Sequence, residues 1–164
     1  MHSAGSMPTT HATRAGLRSR AVARVRAASC ALQAFAPALD LGIRLFVASV
    51  FFRSGLTKIA TWSSTLSLFE NEYAVPLLPP EVAAYLGTGV ELLFPVLLVI
   101  GVGTRFSAFV LFVFNIIAVV SYPDLGAVGL RDHQTWGLLL LVTLLHGPGK
   151  LSLDHLLVRR LWAP

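Results

Sequence analysis

Glu91, Arg53, Asn115 and Thr88 stand inside or beside long apolar runs, and such positions are where a chain of this kind could do chemistry. A charge at the middle of a bilayer costs about 2.5–3.5 kcal/mol on insertion scales, so each should face protein and find a partner. Glu91 lies ten residues in from Glu81, and Arg53 six residues in from Ile59. At 1.5 Å per residue these are about 15 Å and about 9 Å below one surface. An arginine side chain is long enough to close the difference, so the sequence predicts an intramembrane Arg53–Glu91 ion pair. Pro95 cannot donate to the carbonyl of Glu91, which leaves a free backbone acceptor beside the carboxylate. With Thr88 and Gly87 one turn earlier, these groups outline a candidate polar site of Arg53, Glu91, Thr88 and Asn115. Two readings of it stand side by side: a pocket at mid-depth, and an ion pair that only locks two helices together.

Arg44, Lys58 and His133 are secondary candidates. Arg44 lies toward the other end of the first apolar run, where its head group is expected to snorkel to the lipid surface. Nine residues at about 100° each put it on nearly the opposite face from Arg53. His133 and His146 are thirteen residues apart, about 20 Å along one helix, so they cannot share a metal, and no metal site is expected. The single Cys30 leaves no intramolecular disulfide or cysteine cluster. The chain has no Gly-rich phosphate loop, Cys-X-X-Cys, His-Glu-X-X-His or Gly-X-Ser-X-Gly. No catalytic residue is assigned, and a non-catalytic membrane subunit is favoured over an independent enzyme. Trp62, Trp136, Tyr73, Tyr85 and Tyr122 read first as interfacial belt residues, on any of which a quinone ring could also stack.

The elements that must carry these residues follow from hydropathy. The chain is 55% hydrophobic and 13% charged, where a soluble domain carries roughly a quarter charged. Its mean hydropathy is +0.71. Four apolar runs, residues 39–59, 82–102, 105–122 and 131–147, each approach the ~20 residues that cross a bilayer core. The expected fold is therefore all-α, an integral membrane four-helix bundle in contact with the lipid bilayer. Residues 62–80, with Phe69, Tyr73, Pro76, Pro79 and Pro80, suit an interfacial segment or short lid.

Basic residues set the direction. Five arginines precede the first run, Arg105 lies in the turn between the second and third, and Lys150, Arg159 and Arg160 follow the fourth. These nine fall on one side, which predicts cytoplasmic N- and C-termini. Residues 1–36 read as a basic, disordered tail and residues 37–164 as the membrane domain. The net charge of +5 is a topology signal of this kind, and nucleic acid is not an expected partner.

Several stretches together resemble the DoxX family of small four-helix bacterial membrane proteins. They are Leu41-Gly42-Ile43-Arg44-Leu45 and Phe51-Phe52-Arg53-Ser54-Gly55-Leu56-Thr57-Lys58-Ile59, then Glu91, Gly101-Val102-Gly103-Thr104-Arg105, and Gly147-Pro148-Gly149-Lys150-Leu151-Ser152-Leu153-Asp154. The likeness covers residues 39–156. It implies a multi-pass protein of the bacterial inner membrane. It also implies a link to redox systems, since family members are associated with a thiosulfate:quinone oxidoreductase and with complexes that handle oxidative and thiol stress. The resemblance thus points to the membrane-embedded partner subunit of a redox or oxidative-stress-related assembly, with a redox protein as partner and quinone as the candidate cofactor. The alternative is a small-solute transporter or channel, formed as a homo-oligomer around the Arg/Glu pair. After the fourth run, Gly-Pro-Gly should stop the helix. Ser152 and Asp154 should cap a short amphipathic helix lying along the inner surface.

Overall fold

The computed structural model describes residues 10–162, with side chains described over 22–161. It contains six α-helices: α1 Thr10–Ala60, α2 Trp62–Asn71, α3 Pro80–Ile100, α4 Thr104–Ser121, α5 Gly126–His146 and α6 Leu153–Trp162. The chain divides into two units, Met1–Ala36 and Pro37–Pro164. Residues 10–36 of the expected basic tail are helical. Alanine and arginine dominate that stretch, and both are strong helix formers. Residues 1–9 of the expected tail lie outside the described part. Pro37, which lacks the N–H of an interior helical residue, stands at the boundary of the second unit.

Within the second unit one apolar core draws on α1, α3, α4 and α5. It consists of Val47, Ala48, Phe51, Leu98, Ala108, Leu111 and Leu140. Arg44, Thr88, Glu91, Thr104, Ser107, Asn115, Ser121 and Thr143 are also buried. Leu45, Phe46, Leu86, Leu93, Phe106, Phe109, Ile116 and Leu138 are exposed. Polar groups inside and large apolar groups outside reverse the pattern of a water-soluble domain, and lipid is the solvent that makes this arrangement favourable.

Among the described residues three helices are long and apolar enough to cross a membrane: the part of α1 over Val22–Ala60, then α3 and α4. The run expected over 131–147 falls in α5 and its C-cap Gly147; the helix starts earlier and carries Arg131, Asp132, His133 and Gln134 in its first half. That polar cluster dilutes its hydropathy. Between α3 and α4 the reversal is tight because Gly101 and Gly103 adopt left-handed conformations, with φ of 77° and 56°. The N–H groups of Gly101 and Val102 both return to the Leu97 carbonyl and close the end of α3. At the other end of the unit α2 runs up to the proline-rich stretch. The Ala74 N–H then bonds the Ser121 carbonyl at 2.8 Å and ties this stretch to the end of α4.

The reversal after α5 folds back onto the α3–α4 turn. Ser152 caps α6 by accepting from the His155 N–H at 3.1 Å. Asp154 was expected to cap its own helix, and instead caps α4. Its carboxylate accepts from the Gly103 N–H (2.9 Å), the Thr104 N–H (2.8 Å) and the Thr104 hydroxyl (2.9 Å), while its own N–H donates to the Gly101 carbonyl. Partial burial works against the charge, but these bonds and the nearby Arg44 outweigh it and hold the carboxyl below its usual pKa.

Arg44 is corrected as well. It does not reach toward the lipid surface but is 1% exposed, and it donates to the Leu98 and Leu151 carbonyls. The C-terminal ends of α3 and of the post-α5 loop supply carbonyls that lack helical partners, and a guanidinium with five donors satisfies them from inside the protein.

Candidate functional site: a polar-ended cavity in the membrane domain

Close approach of α1 to α3 creates the site. A side chain at Gly55 would place its Cβ 2.9 Å from Leu92 and 3.1 Å from the Cβ of Glu91, so only glycine allows the two helices this near. Gly55 therefore marks the face of α1 that meets α3. Lys58, three residues on, and Ser54, one residue back, flank that face, whereas Arg53 lies two residues back and about 200° around the helix.

The ion pair is accordingly Lys58–Glu91 and not Arg53–Glu91. The Lys58 ammonium donates to Glu91 Oε1 at 2.7 Å, to Oε2 at 2.6 Å and to Ser54 Oγ at 3.0 Å. Ser54 in turn donates to Glu91 Oε1 at 3.1 Å. The side chains of Lys58 and Glu91 are 18% and 6% exposed. Arg53 is exposed on the outside of α1. Arg53 lies near the level expected for a partner of Glu91 but on the other face of α1.

This pair forms one wall of a cavity of about 520 Å³. Phe51, Phe69, Phe114 and Trp136 supply aromatic surface, and Ser121, Tyr73 and His133 line it as further polar groups. The Ser121 hydroxyl is buried with no hydrogen-bond partner among the described residues. Burial first, then the neighbouring Tyr122, Glu91 and Glu72, pushes the Tyr73 phenol above its usual pKa, so it remains a protonated donor.

At this lining His133 is hydrogen-bonded to Asn115. The Asn115 amide donates to the His133 carbonyl at 2.9 Å, and its oxygen faces His133 Nδ1 at 2.8 Å. With the amide nitrogen committed as donor, that oxygen must accept, so Nδ1 carries a proton. In the neutral ring Nε2 is then left as an acceptor. Gly137 makes room for this contact, since a Cβ there would lie 3.1 Å from the Asn115 amide nitrogen.

Of the residues singled out from sequence, the structure thus brings Glu91, Lys58 and His133 to one cavity. Asn115 acts on it through His133. Thr88 is buried with its hydroxyl unpartnered and is not among the lining residues. Arg53 and Arg44 belong elsewhere. Sequence reasoning missed Ser54 and Ser121, and ranked Lys58 below Arg53. The available signal was Ser54-Gly55-X-X-Lys58, which sets a hydroxyl and an amine one turn apart beside a glycine.

No solved structure matches the chain. A protein of Haemophilus influenzae described as uncharacterized is 36% identical over 138 residues, covering 78% of this chain and 89% of that protein. The DoxX family model matches residues 39–123, the stretch that carries Ser54, Lys58, Glu91 and the start of the cavity's far wall. With this match, and with three apolar helices of membrane-crossing length, the chain belongs to the DoxX family and is a multi-pass membrane protein.

Proposed function

We propose that this protein is a membrane-embedded ligand-binding subunit of a redox-linked assembly, and that its cavity takes the head group of a quinone. The observation that carries this reading is the cavity itself: aromatic walls and charge balance on one side, and free hydrogen-bonding groups on the other. Lys58 has all three of its donors committed to Glu91 and Ser54, so the pair offers no net charge to attract an ion. An uncharged, flat ring with polar oxygens suits such a space. Ser121 and Tyr73 can donate to a carbonyl oxygen, and His133 Nε2 can accept from a hydroxyl. Both the quinone and quinol forms therefore find partners.

In this reading the chain crosses the bacterial inner membrane four times, with α5 as the fourth span and both termini cytoplasmic. Arg105, Lys150, Arg159 and Arg160 gather at that side. The membrane domain begins near Pro37, and a partner protein supplies the electrons, since one cysteine leaves no thiol pair in the chain. Purification of the tagged protein from its native membrane into nanodiscs tests this. Quinone in the lipid extract at about one per chain, with a co-purifying oxidoreductase, is expected. A protein that carries neither, and whose Glu91→Gln variant loses transport of a solute in vesicles, would replace this reading with the transporter.

A further inference from the structure

Arg53 and Asp132 are exposed charges on membrane-domain helices, and neither has an ion-pair partner among the described residues. Both lie near the same level. Phe51 of α1 meets Trp136 of α5 with ring centroids 6.1 Å apart, and Asp40 lies near His146 at 3.8 Å, so the two helices run antiparallel. Moving from the Phe51–Trp136 contact toward the Lys58 end, Arg53 is two residues along α1 and Asp132 four residues along α5. These steps are about 3 Å and about 6 Å, a difference that an arginine side chain covers.

The two cannot meet within one chain. Arg53 is about 200° around α1 from Phe51 and so faces away from the side on which α5 packs. The exposed Glu81 stands ten residues from Glu91, about 15 Å further along α3, and Asp124 lies in the turn before α5, whose first residue is ten residues, about 15 Å, from Trp136. Glu70 and Glu72 lie at the end of α2, beyond the end of α1. Asp132 is thus the exposed carboxylate, among the described residues, at the depth of Arg53.

Around Arg53 the face of α1 offers Phe46, Ser49, Leu56 and Thr57. Its two hydroxyls are already bonded to carbonyls of the same helix, Ser49 to Phe46 at 2.7 Å and Thr57 to Arg53 at 3.0 Å. The guanidinium therefore stands as the one unsatisfied polar group of an otherwise apolar face. All copies of a membrane protein share one orientation, so groups at equal depth on neighbouring copies meet without further adjustment. We propose that the Arg53 face of α1 packs against the Asp132 face of α5 of a second copy, joined by an Arg53–Asp132 ion pair. Charge complementarity at matched depth selects this partner, because a charge left facing lipid on α1 is costly and the pair removes that cost for Arg53. The surface lies outside the cavity and does not depend on what the cavity binds.

Cross-linking in the native membrane tests the pairing, first with both charges intact and then with each reversed. Two differently tagged chains, one Thr57→Cys and one Val128→Cys, each with Cys30→Ser, place thiols one turn from Arg53 and from Asp132. A cross-link between the two tags is expected. Arg53→Asp or Asp132→Arg alone should lower its yield about tenfold, and the two reversals together should restore it. Cross-links only between like positions, or no rescue by the double reversal, would overturn the proposal. So would a monomer in nanodiscs whose bound phospholipid is lost in Arg53→Gln, which would assign Arg53 to a lipid phosphate.

Discussion

Replacing Glu91 by leucine should destabilise the protein, and replacing Lys58 by methionine at the same time should recover most of the loss. The ammonium of Lys58 has three acceptors, two of them on Glu91 at 2.6 and 2.7 Å. Removing one partner of a buried pair costs about 3–5 kcal/mol, whereas replacing both by apolar groups of similar volume is neutral or stabilising by about 1–4 kcal/mol. The two single variants should not be equal. Lys58 is two residues from the end of α1 and 18% exposed, so without Glu91 its flexible stem can lift the ammonium toward the surface. Glu91→Leu therefore belongs near the lower bound, about 3 kcal/mol. Glu91 is 6% exposed in the interior of α3, and without Lys58 it keeps only the Ser54 hydroxyl. Lys58→Met belongs near the upper bound, about 5 kcal/mol. Reversible unfolding of the purified protein in a single detergent, followed by tryptophan fluorescence, measures all three. The expected order of stability is double variant, then Glu91→Leu, then Lys58→Met. Additive losses in the double variant, or rescue of Glu91→Leu by Arg53→Leu instead of Lys58→Met, would refute the pairing.

Three further outcomes follow from the Arg44 end and the cavity. Asp154→Asn should cost about 1–2 kcal/mol at neutral pH through loss of the α4 cap. Because the folded pKa of Asp154 lies below its unfolded value, that contribution is complete above about pH 4 and disappears as pH falls through the folded value; stability measured against pH should show the gap from wild type closing only in acid. Gly101→Ala should abolish stable expression, since φ is 77° and the new Cβ would lie 2.5 Å from that of Ser152, whereas Gly42→Ala, with open space around it, should add about 0.5–1 kcal/mol. Asn115→Leu removes the amide that fixes the His133 ring, and should weaken binding of a quinone analogue severalfold in a titration while leaving the Lys58–Glu91 coupling intact.

Depth was legible in the sequence and facing was not. Hydropathy placed runs at 82–102 and 105–122, and α3 and α4 occupy Pro80–Ile100 and Thr104–Ser121, because an apolar run bounded by Pro79-Pro80 and by Gly101 and Gly103 has clear punctuation at both ends. The start of α1 was not legible, since an alanine- and arginine-rich stretch without turn residues gives no stop signal and helix continues through it. Glu91 was found as a buried carboxylate because its cost in lipid demands a partner. Its partner was missed because Arg53 and Lys58 both reach its level, and only the contact at Gly55 decides which side of α1 turns toward α3. Arg44 and Asp154 were read from local context as a snorkelling residue and a cap for the following helix. Their partners, at Leu98, Leu151 and Thr104, lie fifty or more residues away or on another element, and no local pattern encodes such contacts.

Trp136 lines the cavity and reports on its contents, so a fluorescence titration of the nanodisc protein with a short-tailed quinone tests the central claim most directly. The comparison is Ala118→Phe, which adds an aromatic ring to the cavity lining without touching Lys58 or Glu91. Saturable quenching is expected in the wild-type protein, with at least a tenfold weaker response in Ala118→Phe, about 1.4 kcal/mol or more, at unchanged elution volume. Equal quenching in both proteins, or quenching that rises linearly without saturation, would contradict it.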